Sequence, residues 1–250
     1  WLSQHIKAGE DVQISSLTTD QTILVLAGPK ARDVLSAVSR DDWSKDAFPW
    51  LSARECFIGY APATVLGVSF SGELAYEIHV PNASLYAAYL ALRAAGEVHD
   101  MKLFGARAVE SMRMEKGYLH WTADPTTEFD PFVTGLERFV KLDKSDFVGR
   151  DALVKRQKNG PQRKLVTLKV GTGKAPAHPG ASVIHEGKVI GTVTSGDWGH
   201  RTGLNLAYAF VEPHFAAIGT TLQTDLCGEI VKVEVMDPAP YDPQMERVRA

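Results

Sequence analysis

Cysteine is the scarcest chemical resource in this chain. Only Cys56 and Cys227 occur in 250 residues, and they stand far apart. Neither belongs to a C-x-x-C or a Cys/His pattern, so no disulfide framework or zinc site is expected. Two reduced thiols in a cytosolic-type compartment are the ordinary reading. No apolar run approaches the roughly 20 residues of a membrane-spanning helix. The opening Trp1-Leu-Ser-Gln-His-Ile-Lys7 has no signal-peptide pattern and no initiator Met, so a trimmed chain or a fragment is expected. Excess charge is also missing: 27 Lys and Arg against 30 Asp and Glu give a net of −3. That balance offers no broad basic field to nucleic acid or an anionic membrane, although local arginines can still hold a small anion. There is no G-x-G-x-x-G opening a helix after a strand, no P-loop, no H-E-x-x-H and no G-x-S-x-G. The eight histidines are scattered, with none paired at metal spacing. These residues alone do not build a flavin or nicotinamide enzyme.

What is present is an ordinary globular composition. Hydrophobic residues make up 44% and charged residues 23%, enough for a sizeable core. The length suits a main domain with a smaller one. Trp1–Lys7 reads as the tail of a helix and Val12–Ser16 as a short alternating strand. Gln21–Ala27 is a compact apolar run suited to a buried strand, broken by Gly28-Pro29. Ala31, Val34, Leu35 and Val38 then recur at helical spacing. Cys56–Tyr60 and Ala63–Phe70 give two more strands. The second runs into Val68–Val80, which reads as strand, Ser71-Gly72 turn, strand. Glu77 and His79 alternate there with Tyr76, Ile78 and Val80. A carboxylate such as Glu73 or Glu77 among apolar neighbours must find donors or face water, and a wet edge hairpin is the ordinary outcome. Ala83–Ala95, capped by Asn82 and stopped by Gly96, completes a second strand-strand-helix set.

Gly105–Gly117 (GARAVESMRMEKG) reads as a helix with Val109, Met112 and Ala108 as its buried stripe. Arg107, Glu110, Met114 and Arg113 would meet on its surface at three- and four-residue spacing. Tyr118-Leu-His-Trp121 is an aromatic loop, with His120 on it, and Asp124, Glu128 and Asp130 make the next loop acidic. Leu136–Leu142 has strand character, Asp151–Lys158 is a short helix, and Asn159-Gly-Pro-Gln-Arg163 is the best linker. After it come short strands at Lys164–Val170, Ser182–His185, Lys188–Thr194, Asn205–Val211, Thr221–Asp225 and Glu229–Met236. Glu186-Gly187 is a hairpin turn among them. With no helix between, these strands suggest a small barrel or sandwich. The expected class is α+β: an antiparallel sheet with covering helices over 1–160, a β-barrel over 161–240, and a tail at 241–250.

Some of these stretches resemble a known family. Phe70-Ser-Gly-Glu-Leu-Ala-Tyr-Glu-Ile78 is similar to the Tyr-Thr-Gly-Glu-x-Gly-Tyr-Glu-Ile segment of the glycine-cleavage T-protein (aminomethyltransferase) family. Gly105-Ala-Arg-Ala-Val-Glu-Ser-Met-Arg-Met-Glu-Lys-Gly117 resembles its Gly-Ala-Arg-Asp-x-Leu-Arg-x-Glu-x-Gly helix. Phe147-Val-Gly-Arg-Asp-Ala-Leu153 and Ile190-Gly-Thr-Val-Thr-Ser-Gly196 match further segments in the same order. Leu26-Ala-Gly-Pro-Lys30, Glu115-Lys-Gly-Tyr118 and Glu128-Phe-Asp-Pro-Phe132 resemble most closely the tetrahydrofolate-binding part of dimethylglycine and sarcosine dehydrogenases. Lys116-Gly117-Tyr118 departs from the Lys-Gly-Cys of the iron–sulfur-assembly branch.

The resemblance implies a folate-binding α+β domain followed by a barrel. It implies tetrahydrofolate as cofactor, with FAD only in a partner domain absent from this chain and expected upstream in the same polypeptide. Glu77 aligns with the family's pterin-binding glutamate, where a carboxylate can accept two parallel bonds from an amino-pyrimidine edge. Ile78 and His79 would add backbone contacts. Phe70 takes the aromatic position, without the usual hydroxyl, and Arg107 would meet the polar or glutamate portion. The family's later aromatic falls at Arg138, or at Phe139 after a slip of one. Arg113 and Glu115 are expected to pair with one another. The family's catalytic aspartate lies upstream of the region matching Trp1 and has no counterpart in 1–67, which implies a fragment beginning partway through the fold. The implied activity is acceptance of a one-carbon unit from an N-methyl amine oxidised by a flavin domain. The alternatives are a glycine-cleavage T-protein, a folate-dependent demethylase, or a non-catalytic folate-binding regulator. The expected compartment is the cytoplasm, or the mitochondrial matrix in a eukaryote.

Overall fold

The structure, a computed structural model, describes every residue except Lys174. The chain divides into two compact units. The first holds Trp1–Ser69, Glu73–Leu103 and Glu246–Ala250, and the second holds Phe70–Gly72 and Phe104–Met245.

In the first unit, β1 (Gln21–Ala27) leads through Gly28-Pro29 to α1 (Ala31–Val38). Then come β2 (Ala53–Ile58), β3 (Ala61–Leu66), β4 (Ala75–Pro81) and α2 (Leu85–Glu97). The strands form an antiparallel sheet in the order β1-β4-β3-β2. Period-two alternation sorts each strand into two faces. Leu26, Tyr76, Ile78, Val80, Val65 and Ile58 point to one face and pack with Val34 and Leu35 of α1 and Ala88 and Leu92 of α2. Trp43 and Phe48, from the connector before β2, close that core with rings 4.9 Å apart. Burying such side chains contributes roughly 1.5–3 kcal/mol each, so this face holds the unit together. Glu77 and His79 stand on the other face. Beside them in register are Val25 and Ile23, about half exposed.

The structure corrects the sequence reading at three places here. Val68–Phe70 is not a strand: β3 ends at Leu66 and a loop over 67–74 precedes β4. Gly67 donates to Ser52 O and accepts from Leu51 N, which turns the chain out of the ladder. Val12–Ser16 is exposed and unpaired in any sheet, because alternation without a partner strand leaves the backbone to water. Trp1–Lys7 contains a single 3-10 turn, Leu2–His5.

The second unit contains α3 (Ala106–Glu115), α4 (Pro131–Thr134) and α5 (Arg150–Asn159). After these come β5 (Lys164–Val170), β6 (Ser182–His185), β7 (Lys188–Gly199), β8 (Leu204–Val211), β9 (Thr221–Leu226) and β10 (Glu229–Met236). The strands close an antiparallel barrel in the order β10-β5-β8-β7-β6-β9. Its interior is filled by Leu168, Val183, Val193, Ala209, Leu222 and Val233. Glu186 and Gly187 both adopt positive φ, +47° and +77°, the geometry of a two-residue hairpin turn whose twist matches the flanking strands. Leu136–Leu142 is not a strand. It holds a 3-10 turn, Glu137–Phe139, after Gly135 has ended α4 in a left-handed conformation. No helix among the described residues is long and apolar enough to cross a membrane.

Candidate functional site

Glu77 lies on β4, an interior strand. Its neighbours across the ladder are Val25 on β1 and Leu66 on β3. Its side chain is 36% exposed. Two residues on, the His79 ring shares its face. His79 Nε2 is 3.5 Å from Glu77 Oε2, yet that buried nitrogen has no hydrogen-bond partner among the described residues. A ring nitrogen without a protein partner beside a carboxylate sets a donor next to an acceptor on one face. Ile78, between them, is fully buried in the core. Both flanks of β4 are paired at residues 78 and 79, so their peptide groups face neighbouring strands. What this stretch offers a ligand is the Glu77 and His79 side chains.

An open cleft of about 1240 Å³ in the same unit is lined by His79, Thr64, Phe57, Arg40, Asp41 and Cys56, among others. Burial, with Asp41 nearby, pushes the Cys56 thiol up to about 11, so it is a poor nucleophile at neutral pH.

In the second unit, α3 buries Ser111, Arg113, Met114 and Glu115. The expected stripe of Val109, Met112 and Ala108 is instead half-buried or exposed. The reason is electrostatic: each buried charge meets a distant partner. Arg113 donates to Asp124 Oδ2 at 2.5 Å, to Glu110 Oε2 at 2.7 and 2.9 Å, and to Ser195 Oγ at 2.9 Å. Asp124 Oδ1 accepts from Thr194 Oγ1 at 2.6 Å and Ser195 Oγ at 2.7 Å. Glu115 does not pair with Arg113. It accepts from Arg201 Nε at 2.6 Å and from the backbone of Arg201 and Thr202. Lys116 is likewise buried against Asp242. This hub was missed in the sequence because its partners lie up to 126 residues apart. The one local signal was a density of charge on α3 too high for its apolar content.

The loop after α3 carries aromatic rings. Phe70 and Tyr118 lie parallel within 7° at 6.3 Å, and the His120 ring stands edge-on to Phe70 at 6.2 Å. His120 Nδ1 is 2.8 Å from Glu110 Oε1. Of the other expected residues, Arg107 is exposed on the first turn of α3. Arg138 is exposed in its 3-10 turn, its guanidinium 4.8 Å from the centre of the Phe139 ring. Phe139 is itself exposed. Asp130 caps α4, accepting from Phe132 N and Val133 N, and Glu128 is exposed. No cluster of His, Cys, Asp or Glu among the described residues could hold a metal ion.

Comparison with known proteins adds a separate line. Residues 1–144 match the model of the GCVT N-terminal domain, and residues 163–242 that of the glycine cleavage T-protein C-terminal barrel domain. Human mitochondrial dimethylglycine dehydrogenase is 32% identical over 231 residues, covering 92% of this chain and 27% of that protein. Mouse mitochondrial sarcosine dehydrogenase is 31% identical, covering 95% of this chain and 27% of that protein. The crystal structure of the glycine cleavage system aminomethyltransferase T from Bartonella henselae superposes with a TM-score of 0.79 at 25% identity. That match covers 90% of this chain and 60% of the other. The chain thus spans about a quarter of the length of these dehydrogenases.

Proposed function

The chain belongs to the glycine cleavage T-protein family, and from that premise we propose that it is a tetrahydrofolate-binding, aminomethyltransferase-like module. In this reading it accepts the one-carbon unit of an N-methyl amine of the dimethylglycine or sarcosine type, oxidised by a flavin domain in the same polypeptide or a partner. The observation that carries the folate assignment is the Glu77 carboxylate beside the unpartnered His79 Nε2. The edge of a pterin presents an amino group, a ring N–H and a carbonyl oxygen. Glu77 can accept from the two donors, and His79 Nε2, as an N–H, can donate to the carbonyl. The donor set fits the group.

Glu77 would orient the ring through charge-assisted bonds. Its position is fixed because β4 is paired on both sides, so little reorganisation is needed on binding. In the second unit taken by itself, Phe70 lies parallel to Tyr118, and Arg107 and Arg138 are exposed cations of the kind that hold an anionic group. The folate, when bound, supplies reduced nitrogens that take up the one-carbon unit.

Calorimetric titration of the chain with tetrahydrofolate tests this reading, with Glu77→Gln beside it. Saturable binding is expected, weakened roughly 10- to 100-fold in the variant, as for a charge-assisted bond lost. No binding by the parent chain would remove the folate assignment. Equal affinity of the two would remove Glu77 from it.

A further inference from the structure

We propose that the outer face of α2 docks against the same face of a second copy of this chain, antiparallel about a two-fold axis at Ala94. The inference goes beyond the folate reading and does not depend on it. Helix α2 packs on the core face of its sheet, whereas Glu77 stands on the opposite face.

The sequence makes α2 apolar nearly all round. Leu85–Glu97 reads LYAAYLALRAAGE, and its only charged residues are Arg93 and Glu97. A helix without a polar face is ordinarily covered on every side. Here Ala88, Leu92 and Gly96 are buried, while Tyr86, Ala87, Leu90 and Ala94 are exposed on the other side. Their spacing of three and four residues puts them on one stripe, which Val98 continues past the helix end. Leu90 is 47% exposed, Tyr86 72% and Val98 84%.

The patch is broader than the helix. The turn between β2 and β3 lies against it, because a Cβ on Gly59 would stand 3.4 Å from that of Ala91. Tyr60, next in that turn, is 99% exposed. Tyr60, Ala91, Ala94 and Ala95 also line the open cleft of this unit. A contiguous exposed apolar surface of this kind marks a place where another molecule sits.

The charges on α2 identify that molecule as a second copy. Arg93 and Glu97 are four apart, in the order less favourable to a pair within one helix. Neither enters an ion pair with any described residue. They flank the apolar stripe on the same side. Two such helices set antiparallel with Ala94 on the two-fold axis bring Leu90 to the partner's Val98 and Arg93 to the partner's Glu97, each contact made twice by symmetry. Alanine at the crossing lets the backbones approach closely. The net charge of −3 adds little repulsion between copies. One three-turn helix face and a tyrosine cover less than the roughly 800 Å² per partner of a stable interface, so the dimer is weak, with a Kd on the order of tens of micromolar.

Sedimentation velocity of the whole chain from about 1 μM to about 1 mM, a range that brackets the expected Kd, tests the pairing. Circular dichroism first establishes that each variant is folded. The parent should pass from monomer to dimer across the range, and Ala94→Glu, which sets like charges against each other on the axis, should stay monomeric. Arg93→Glu and Glu97→Arg should each weaken association about 10-fold or more. Mixed in equal amounts, these two single variants should pair with one another, because every flanking contact then joins unlike charges. A parent that stays monomeric throughout would overturn the inference and give the face to a different partner. A dimer that survives Ala94→Glu, or a mixture of the two charge variants no more associated than either alone, would overturn it as well. None of these results bears on folate binding, which is titrated separately.

Discussion

Asp124 meets Arg113 at 2.5 Å inside the second unit, with the two side chains 0% and 1% exposed. Asp124 also receives both hydroxyls of Thr194 and Ser195 and the backbone N–H of His120. A single carboxylate thereby ties α3, the aromatic loop and β7 together. Removing one partner of a buried ion pair leaves the other as an uncompensated charge. Asp124→Ala should therefore cost about 3–5 kcal/mol, read as a lower urea midpoint. The double variant Asp124→Ala with Arg113→Met should recover part of that loss. A cost below about 1 kcal/mol for the single variant, typical of exposed pairs, would show that water reaches the pair.

The Gly191–Gly196 segment, one of the stretches that carry the family resemblance, has a structural explanation in the barrel. A Cβ on Gly191 would collide with the backbone oxygen of Phe210, and one on Gly196 with that of Ala177. Backbone atoms cannot step aside as side chains do. Gly191→Ala should lower stability by about 3 kcal/mol, at the upper end of overpacking costs, measured by thermal denaturation followed by circular dichroism. An unchanged melting temperature would mean that β7 and β8 lie further apart than described.

Cys56 and Cys227 should differ sharply in reactivity. Cys227 is exposed, whereas Cys56 is buried with its thiol raised to about 11. Iodoacetamide at neutral pH should alkylate Cys227 first, and Cys56 only after denaturation, as followed by peptide mass spectrometry. The raised thiol also couples to stability. The unfolded chain, ionising near the ordinary 9.0, loses this proton before the folded chain does. Stability should therefore fall as pH rises from about 9 towards 11, and Cys56→Ala should flatten that decline.

Glu186 pays a conformational penalty that its position in the hairpin turn does not require. At φ +47° it occupies the left-handed region that asparagine and glycine tolerate better. Glu186→Asn should raise stability by roughly 0.5–1 kcal/mol, seen as a higher melting temperature. A lower one would show that the Glu186 side chain holds something in place.

The barrel was largely legible, although β7 runs past the expected Thr194 to Gly199. β5, β6 and β10 begin and end where alternation and turn chemistry place them, because both signals are local. Val12–Ser16 shows the limit of the same signal: alternation marks what could pair, and pairing needs a neighbour that only the tertiary fold supplies. Helix α3 was legible as a helix and misread as to its faces. Apolar periodicity assumes that charge seeks water, whereas Arg113 and Glu115 are buried against Asp124, Ser195, Arg201 and Thr202. Nor could those two meet each other, since residues two apart on a helix point in different directions. Glu77 was singled out from its motif. The orphaned nitrogen of His79 and the Glu110–His120 contact emerge only once side chains are placed.

The interior position of β4 also constrains how this chain can change length. The loop over 67–74 precedes the strand, and residues added there would leave the pairing of β4 with β1 and β3 untouched. One residue added within β4, upstream of Glu77, would exchange its two faces. The carboxylate and the imidazole would turn into the packed interior, and Tyr76 and Ile78 would turn out of it. Related chains can thus be expected to hold their length between Ala75 and Pro81.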